Sequence, residues 1–369
     1  MKYLITLPWM PYPATDGGKQ GSFNMLMELQ NMIDITLIYP VFFKKQMACQ
    51  YLLEKQLPKV KVYPFEYYKN KDGIKSQYSL FRLHRIITRK FLKQPYLATP
   101  IYKDAYIDFV NEIIKKERID IVQNEYFEQL YMVYAIPNTV KKVFIQHEIQ
   151  YIAKERLIQQ REYPSSVRYL ATMQRIQEIN ALNEYDQVIT MTDIDKNILM
   201  CDGVRAPISA SPSFIPLPDN IAYKECERSS ICFIGGSGHN PNLNGVTWFL
   251  DNVWSLILKE NPNFTFKIIG KWDEKIKTEY QKKYRNLFFC GFVECIMVIP
   301  ILIGSGIRMK ILESVNFYSP FVTTTVGVEG LDFINGKECI IADEPQAFAT
   351  GVLKIATDKV LQHNLTKAA

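Results

Sequence analysis

The chain has 369 residues, 47% of them hydrophobic, which is enough to bury a sizeable core and long enough to expect two domains. Lysine and arginine total 44 against 38 aspartates and glutamates, a surplus too small to imply a nucleic-acid coat but suited to anionic ligands or an acidic membrane surface. Seven cysteines (Cys49, Cys201, Cys226, Cys232, Cys290, Cys295 and Cys339) are scattered without a C-x-x-C pair, which speaks against a disulfide framework or zinc site and fits a reducing cytoplasm.

The opening "MKYLITLPWMPYP" carries one lysine and a short apolar run cut by Pro8, and reads as a first strand rather than a leader. A glycine loop, "PYPATDGGKQGS", leads from it into a helix with apolar spacing at Phe23, Leu26 and Met27. Further strands are expected at 34–41, 59–65, 118–126, 141–148 and 185–192. Helices are expected at 102–116 and 165–184, the latter with an apolar series at Val167, Leu170, Met173, Ile176, Ile179 and Leu182. Alternating strands and helices predict a parallel sheet covered on both faces.

The stretch "RAPISASPSFIPLPDN" is rich in proline and serine and reads as a linker. The expected organisation is an N-terminal domain over 1–206, a linker over 207–220 and a C-terminal domain over 221–369. In the second domain the alternation restarts with strands at 230–235, 264–270, 287–292, 296–301 and 320–325, and helices at 241–260 and 307–317. The fold class is thus α/β, two domains with parallel sheets facing across a cleft. The strands at 287–292 and 296–301 abut, so they form one bent strand or lack the crossover of about a dozen residues that parallel neighbours need. The chain ends on a helix begun at "AFATGV". No apolar run reaches the roughly 18 residues needed to span a bilayer, so any membrane contact is expected to be peripheral.

The most informative motif is "IPILIGSGIRMKILESV": a buried strand, a turn at Gly304, Ser305 and Gly306, and a helix from near Ile307. A helix start carries unpaired amides and partial positive charge, so adding Arg308 and Lys310 there costs about 0.3–1 kcal/mol per group unless an anion offsets it. A diphosphate suits this place, since glycines permit close backbone approach and arginine can hold two oxygens. Glu313, further along the helix, can accept hydrogen bonds from ribose hydroxyls.

Gly17 and Gly18 form a second glycine loop that can bring amides to a phosphate or sugar. "GGSGHNPNLNG" is a third, with His239 and Asn240 as polar candidates. His147 and Glu148 follow a buried strand, where open α/β sheets bind ligands, and the carboxylate is expected to pair with the imidazole. No segment fits G-x-G-x-x-G or the P-loop, which weakens dehydrogenase and kinase readings. In "TDIDK" the D-x-D spacing of a metal site competes with a capping box of Thr192 and Asp195, and capping is the expected role. The stretch 67–96 carries eight lysines or arginines against one aspartate, and reads either as a solvated face or as a contact for anionic lipid.

Together these segments resemble glycosyltransferase family 4, the retaining GT-B enzymes of bacterial polysaccharide synthesis. "FIGGSGHNPNLNGVTWFLDNVW" is similar to that family's entry to the donor domain, and "IPILIGSGIRMKILESVNFYSPFVTTTVGVEGL" to its nucleotide-sugar segment. "IQHEIQYI" and "YDQVITMTDIDKNIL" resemble its acceptor domain. The resemblance implies two Rossmann-like domains and retaining sugar transfer from a nucleoside diphosphate sugar to a glycan or lipid-linked hydroxyl. Neither metal nor cofactor is implied, and no nucleic-acid partner. It implies Arg308 and Lys310 on the donor diphosphate, Glu313 on the ribose, Gly17 and Gly18 over the phosphates, and His147 near the sugar. Phe292 and Val293 fall where the base is contacted.

This chain departs from the pattern in four ways. Ser305 stands where many members hold the sugar with a glutamate. The region Ser237 to Asn240 replaces a basic pair. No crossover helix is evident at Glu294–Cys295, and no final helix returning to the first domain. A GT-B nucleotide-sugar epimerase, or a non-catalytic nucleotide-sugar-binding scaffold, remains open as an alternative. The expected location is the cytoplasm, at the inner face of the membrane.

Overall fold

The computed structural model describes residues 1–69, 104–160, 162–213, 215–216, 229–291 and 295–369. Phe292, Val293, Glu294, part of the expected linker and all but the first three residues of the basic stretch 67–96 lie outside them. The chain forms two compact units, Met1–Phe214 and Ile215–Ala369.

In the first unit, β1 (Lys2–Thr6), β2 (Asp34–Val41), β3 (Lys61–Glu66), β4 (Ile121–Glu125), β5 (Lys141–Gln146), β6 (Gln187–Thr190) and β7 (Ile208–Ala210) make one parallel sheet in the order β3-β2-β1-β4-β5-β6-β7. Its helices are α1 (Gly17–Leu29), α2 (Gln50–Gln56), α3 (Asp104–Glu117), α4 (Gln150–Gln159), α5 (Ser165–Leu182) and α6 (Asp193–Cys201). Successive strand residues point to opposite faces, and both faces are covered, which explains the unbroken apolar runs. Leu4, Ile38 and Val122 pack with Tyr106, Val110 and Ile113 of α3. Ile5, Leu37 and Tyr39 pack on the other side with Leu26 of α1 and Leu53 of α2. Each fully buried leucine or valine of this kind contributes about 1.5–3 kcal/mol.

The second unit has β8 (Ser230–Ile234), β9 (Thr265–Ile269), β10 (Leu287–Cys290), β11 (Ile296–Ile299), β12 (Phe321–Thr323) and β13 (Ile340–Ile341), parallel in the order β10-β9-β8-β11-β12-β13. Its helices are α7 (Asn240–Asn252), α8 (Trp254–Glu260), α9 (Glu274–Lys283), α10 (Met309–Asn316), α11 (Pro345–Thr357) and α12 (Lys359–Ala368). Phe233, Phe249, Trp254, Phe266, Phe348 and Leu365 lie at the centre of its core.

Several expectations change. Residues 208–210, expected in the linker, form the edge strand β7, with Val188 pairing to Ile208 and the Pro207 carbonyl accepting from Val188. With Ser209 exposed between the half-buried Ile208 and Ala210, the stretch shows no apolar run. The apolar series on α5 is not one face: Ile176 is exposed, and Ala171, Glu178 and Ala181 are buried instead. A strict spacing of three falls short of a helical turn by about 60° each time, so such a series winds around the helix. The helix expected over 241–260 breaks at Val253, which lets Trp254 bury its ring and donate to the Arg285 carbonyl at 2.9 Å.

The strands β10 and β11 are neither one bent strand nor neighbours, since β9 and β8 stand between them. The final helical stretch divides at Asp358, whose side chain caps α12 by accepting from the Leu361 amide at 2.9 Å.

Candidate active site

In each sheet the chain reverses its direction of travel once, between β1 and β4 and between β8 and β11. Loops leaving the carboxyl ends of such strands diverge and leave a crevice, where open α/β folds bind ligands. The described residues singled out from sequence follow β1 and β5 in the first unit and β8 and β11 in the second.

In the second unit, the loop after β11 turns through Gly304 at φ 115° and Gly306 at φ 75°, a left-handed conformation that favours glycine. Arg308 is the residue before α10 rather than inside it, so the helix starts two residues later than expected. Its Nη1 donates to the carbonyl of Ser305 and, at 2.6 Å, to that of Gly306. This holds the turn in shape and keeps the guanidinium at the loop. Lys310, in the first turn, donates from Nζ to Asn242 Oδ1 at 2.5 Å and sits 4.8 Å from the centre of the Phe233 ring. Burial, reinforced by the Arg308 charge and opposed by Glu313, pushes the Lys310 ammonium down to about 7. Glu313 is half-buried, and burial raises its carboxyl against the pull of Lys310.

Asn242 was missed from sequence. Its Nδ2 donates to the Gly236 carbonyl at 3.1 Å, so one side chain ties the loop after β8 to Lys310. The fit is tight: a Cβ on Gly235 would meet Asn242 Nδ2 at 2.6 Å, and one on Gly245 would meet the Pro300 carbonyl oxygen at 2.2 Å. Trp272 donates to the Gly235 carbonyl at 2.7 Å, fixing the same loop from β9's side. His239 precedes α7 and Asn240 begins it, both exposed at the rim. Ser305 is buried within the turn.

In the first unit, Gly17 and Gly18 belong to the first turn of α1 and not to a loop. Asp16 caps that helix, its carboxylate accepting from the Lys19 amide at 3.0 Å. The early start follows from this cap, which the apolar spacing from Phe23 onward did not reveal. His147 follows β5, and its carboxylate partner is Glu125 rather than Glu148: Nε2 lies 3.0 Å from Glu125 Oε2. Glu148 instead accepts from the Gln150 side chain at 2.9 Å.

Glu125 is fully buried and also accepts from Gln123 at 2.7 Å and Ser22 at 3.3 Å. Tyr126 stacks flat on the His147 ring at 3.9 Å and donates to the Gly18 carbonyl at 2.6 Å. Its φ of 66° is unusual for an aromatic residue and is held by these contacts. Burial, with the Glu125 charge adding to it, pushes the Tyr126 phenol up, so it stays protonated. Donation from His147 Nε2 to the carboxylate leaves Nδ1 as the ring's acceptor nitrogen. Glu125, Tyr126 and Ser22 were not singled out from sequence, although Glu125 closes the strand beside β1 where the crevice opens.

Glu178 of α5 supports this end of the sheet. Its carboxylate accepts from Gln146 Nε2 at 2.8 Å and from the Gln150 and Tyr151 amides at 3.1 and 3.2 Å, capping α4 just after His147. Burial pushes its carboxyl up to about 7.

Thr192 caps α6, its hydroxyl accepting from the Asp195 amide at 2.9 Å and donating to the Asp195 carboxylate at 2.8 Å, so "TDIDK" serves as a helix cap. Among the described residues no cluster of three or more His, Cys, Asp or Glu side chains could hold a metal ion, and no helix is long and apolar enough to cross a membrane.

Known structures share this architecture across nearly the whole chain. A TarM variant from S. aureus, in complex with fondaparinux, alpha-GlcNAc-glycerol and UDP, aligns with 99% of this chain and 94% of its own at 12% identity and a TM-score of 0.67. Anabaena HepE in complex with UDP-glucose aligns with 100% and 93% at 12% identity and 0.66. Sucrose-phosphate synthase from Thermosynechococcus elongatus aligns with 100% and 92% at 11% identity and 0.67. The two parallel-sheet units are those of the GT-B glycosyltransferase fold.

In sequence, residues 228–358 match the family described as Glycosyl transferases group 1, a span that holds Asn242, Arg308, Lys310 and Glu313. An uncharacterized 44.6 kDa protein in the cps region of Klebsiella pneumoniae is 27% identical over 160 residues. That match covers 38% of this chain and 41% of the relative, less than half its length.

Proposed function

We propose that this chain is a glycosyltransferase of the GT-B type. It moves a sugar from a UDP-sugar to an acceptor hydroxyl on a glycan or lipid-linked glycan, with retention and without a metal. The observation that carries this reading is the glycine turn at 304–306 with Arg308 and Lys310 at the start of α10, inside the span matching the glycosyl transferase family. Loss of a diphosphate leaving group needs its negative charge met, and preorganised donors are worth about 3–4 kcal/mol each in this role. Lys310 gains its proton most readily when that charge arrives beside it. Glu313 is assigned the ribose, and the rim at His239 and Asn240, with the turn at Ser305, the rest of the donor.

His147 is assigned to the sugar or acceptor hydroxyl, oriented by Glu125. Gly17 and Gly18 hold helix-start amides after β1, which suit an anionic group of a substrate. UDP in the TarM and HepE structures supports the choice of nucleotide, and the relative's cps region supports a role in polysaccharide assembly.

The test is incubation of the protein with labelled UDP-sugars, with and without a glycan-bearing membrane extract, in the presence of EDTA. Acceptor-dependent product with the donor's anomeric configuration is expected. An acceptor-free change of the sugar would make the protein an epimerase, and binding without any product would make it a non-catalytic carrier.

A further inference from the structure

Two consecutive residues, Glu125 and Tyr126, both reach the same imidazole. Along an extended strand neighbouring side chains point to opposite faces, so this convergence needs a break in the alternation. The break is the left-handed backbone of Tyr126, at φ 66°, directly after the last residue of β4. An aromatic residue adopts that conformation only where its surroundings impose it, and such outliers gather at functional sites.

The two contacts do different work. The carboxylate of Glu125, 3.0 Å from His147 Nε2, selects the nitrogen that carries the proton. One hydrogen bond still lets the ring tilt about its own axis, since the outer torsion of a histidine side chain is soft. The Tyr126 ring lies on the imidazole at 3.9 Å and an interplanar angle of 6°, which removes that freedom. It also obstructs the half-turn of the imidazole that would put carbon where Nδ1 stands.

Tyr126 is itself held at its far end. Its hydroxyl donates to the Gly18 carbonyl at 2.6 Å and lies 3.0 Å from Ser22 Oγ, and Gly18 and Ser22, four residues apart, share one face of α1. Ser22 Oγ is also 3.3 Å from Glu125 Oε2, so both partners of His147 are tied to the same helix. The Trp9 ring packs on Tyr126 at 4.6 Å.

We propose that Tyr126 is a positioning residue. Its ring holds the His147 imidazole in the one plane that presents Nδ1 to a substrate hydroxyl, and its own hydroxyl anchors that ring to α1. The substrate hydroxyl rests on the glycosyltransferase reading, whereas the fixed imidazole does not.

The test combines nitrogen-15 spectra of histidine-labelled protein, with His147 assigned by the signal lost in His147→Gln, and transfer from a labelled UDP-sugar to a membrane-extracted acceptor. The parent should show a single His147 tautomer with the proton on Nε2. Tyr126→Phe keeps the ring, so it should keep that tautomer and lower kcat by about fivefold, the scale of one neutral hydrogen bond. Tyr126→Asn tolerates the left-handed backbone but offers no aromatic ring. It should give a mixed or broadened His147 signal and lower kcat by about a hundredfold at unchanged donor KM, the scale of a misplaced reacting group. Tyr126→Leu, a second variant without the stack, should behave as Tyr126→Asn does. A single Nε2–H tautomer in both stackless variants overturns the proposal, as does a kcat in Tyr126→Phe as low as theirs. A parent that transfers no sugar overturns the glycosyltransferase reading, and the spectra then decide alone whether Tyr126 fixes the imidazole.

Discussion

UDP binding should draw a proton onto Lys310. With its ammonium pushed down to about 7, that side chain is about nine-tenths neutral at pH 8 in the free protein. A diphosphate beside it favours the charged form, so binding at pH 8 takes up about 0.9 proton. The sign follows from linkage: a ligand that binds with a proton binds less tightly as protons become scarce. Affinity therefore falls as pH rises above 7, by about fivefold from pH 7 to pH 8, where the diphosphate itself is almost fully ionised. Isothermal titration of UDP at pH 8 in two buffers of different ionisation enthalpy measures the uptake directly. In Lys310→Met the buffer dependence should vanish. An observed enthalpy identical in both buffers for the parent protein would refute the reasoning, as would affinity that rises with pH.

Replacing Glu125 by glutamine keeps its shape but offers His147 Nε2 a weaker partner, so kcat should fall about tenfold to hundredfold with little change in the melting midpoint. Equal loss of stability and activity would mean that the pair is structural only. The folded chain holds the Glu178 proton more tightly than the unfolded chain does. The stability this gives is full below 4.5 and is lost as pH rises through about 7, amounting to up to about 3 kcal/mol. The melting midpoint of the first unit should drop between pH 5 and pH 8, and this slope should flatten in Glu178→Gln. Gly245→Ala drives a methyl to 2.2 Å from the Pro300 carbonyl and should cost the second unit about 1–3 kcal/mol, whereas Gly238→Ala, open on every side, should cost far less in the same melt.

Most strands were legible because both sheet faces are covered, which leaves unbroken apolar runs such as those of β1, β2 and β5. Elements that bury little were not: β7 has an exposed Ser209 between two half-buried residues, and α9 is almost wholly polar, with Tyr280 as its buried residue and Asp273 as its cap. The cations after the glycine turn at 304–306 stood out because like charge at a helix start is costly, so Arg308 and Lys310 asked for an explanation at once. Asn242 and Glu125 did not, since an asparagine in a glycine loop and a glutamate at a strand end are common. Their significance lies in contacts across the sheet order, from Asn242 to Lys310 and from Glu125 to His147, that no local pattern encodes. The pairing first expected for His147, with the adjacent Glu148, failed for the same reason.

The loop carrying Arg308 and Lys310 is proposed to grip the diphosphate of a sugar donor. Transfer of labelled sugar from UDP-sugars to a membrane-extracted acceptor, measured side by side for the parent and Arg308→Ala, tests it most directly. The parent should yield acceptor-dependent product and the variant about a hundredfold less or lower still. Transfer by the variant at the parent's rate would contradict the claim.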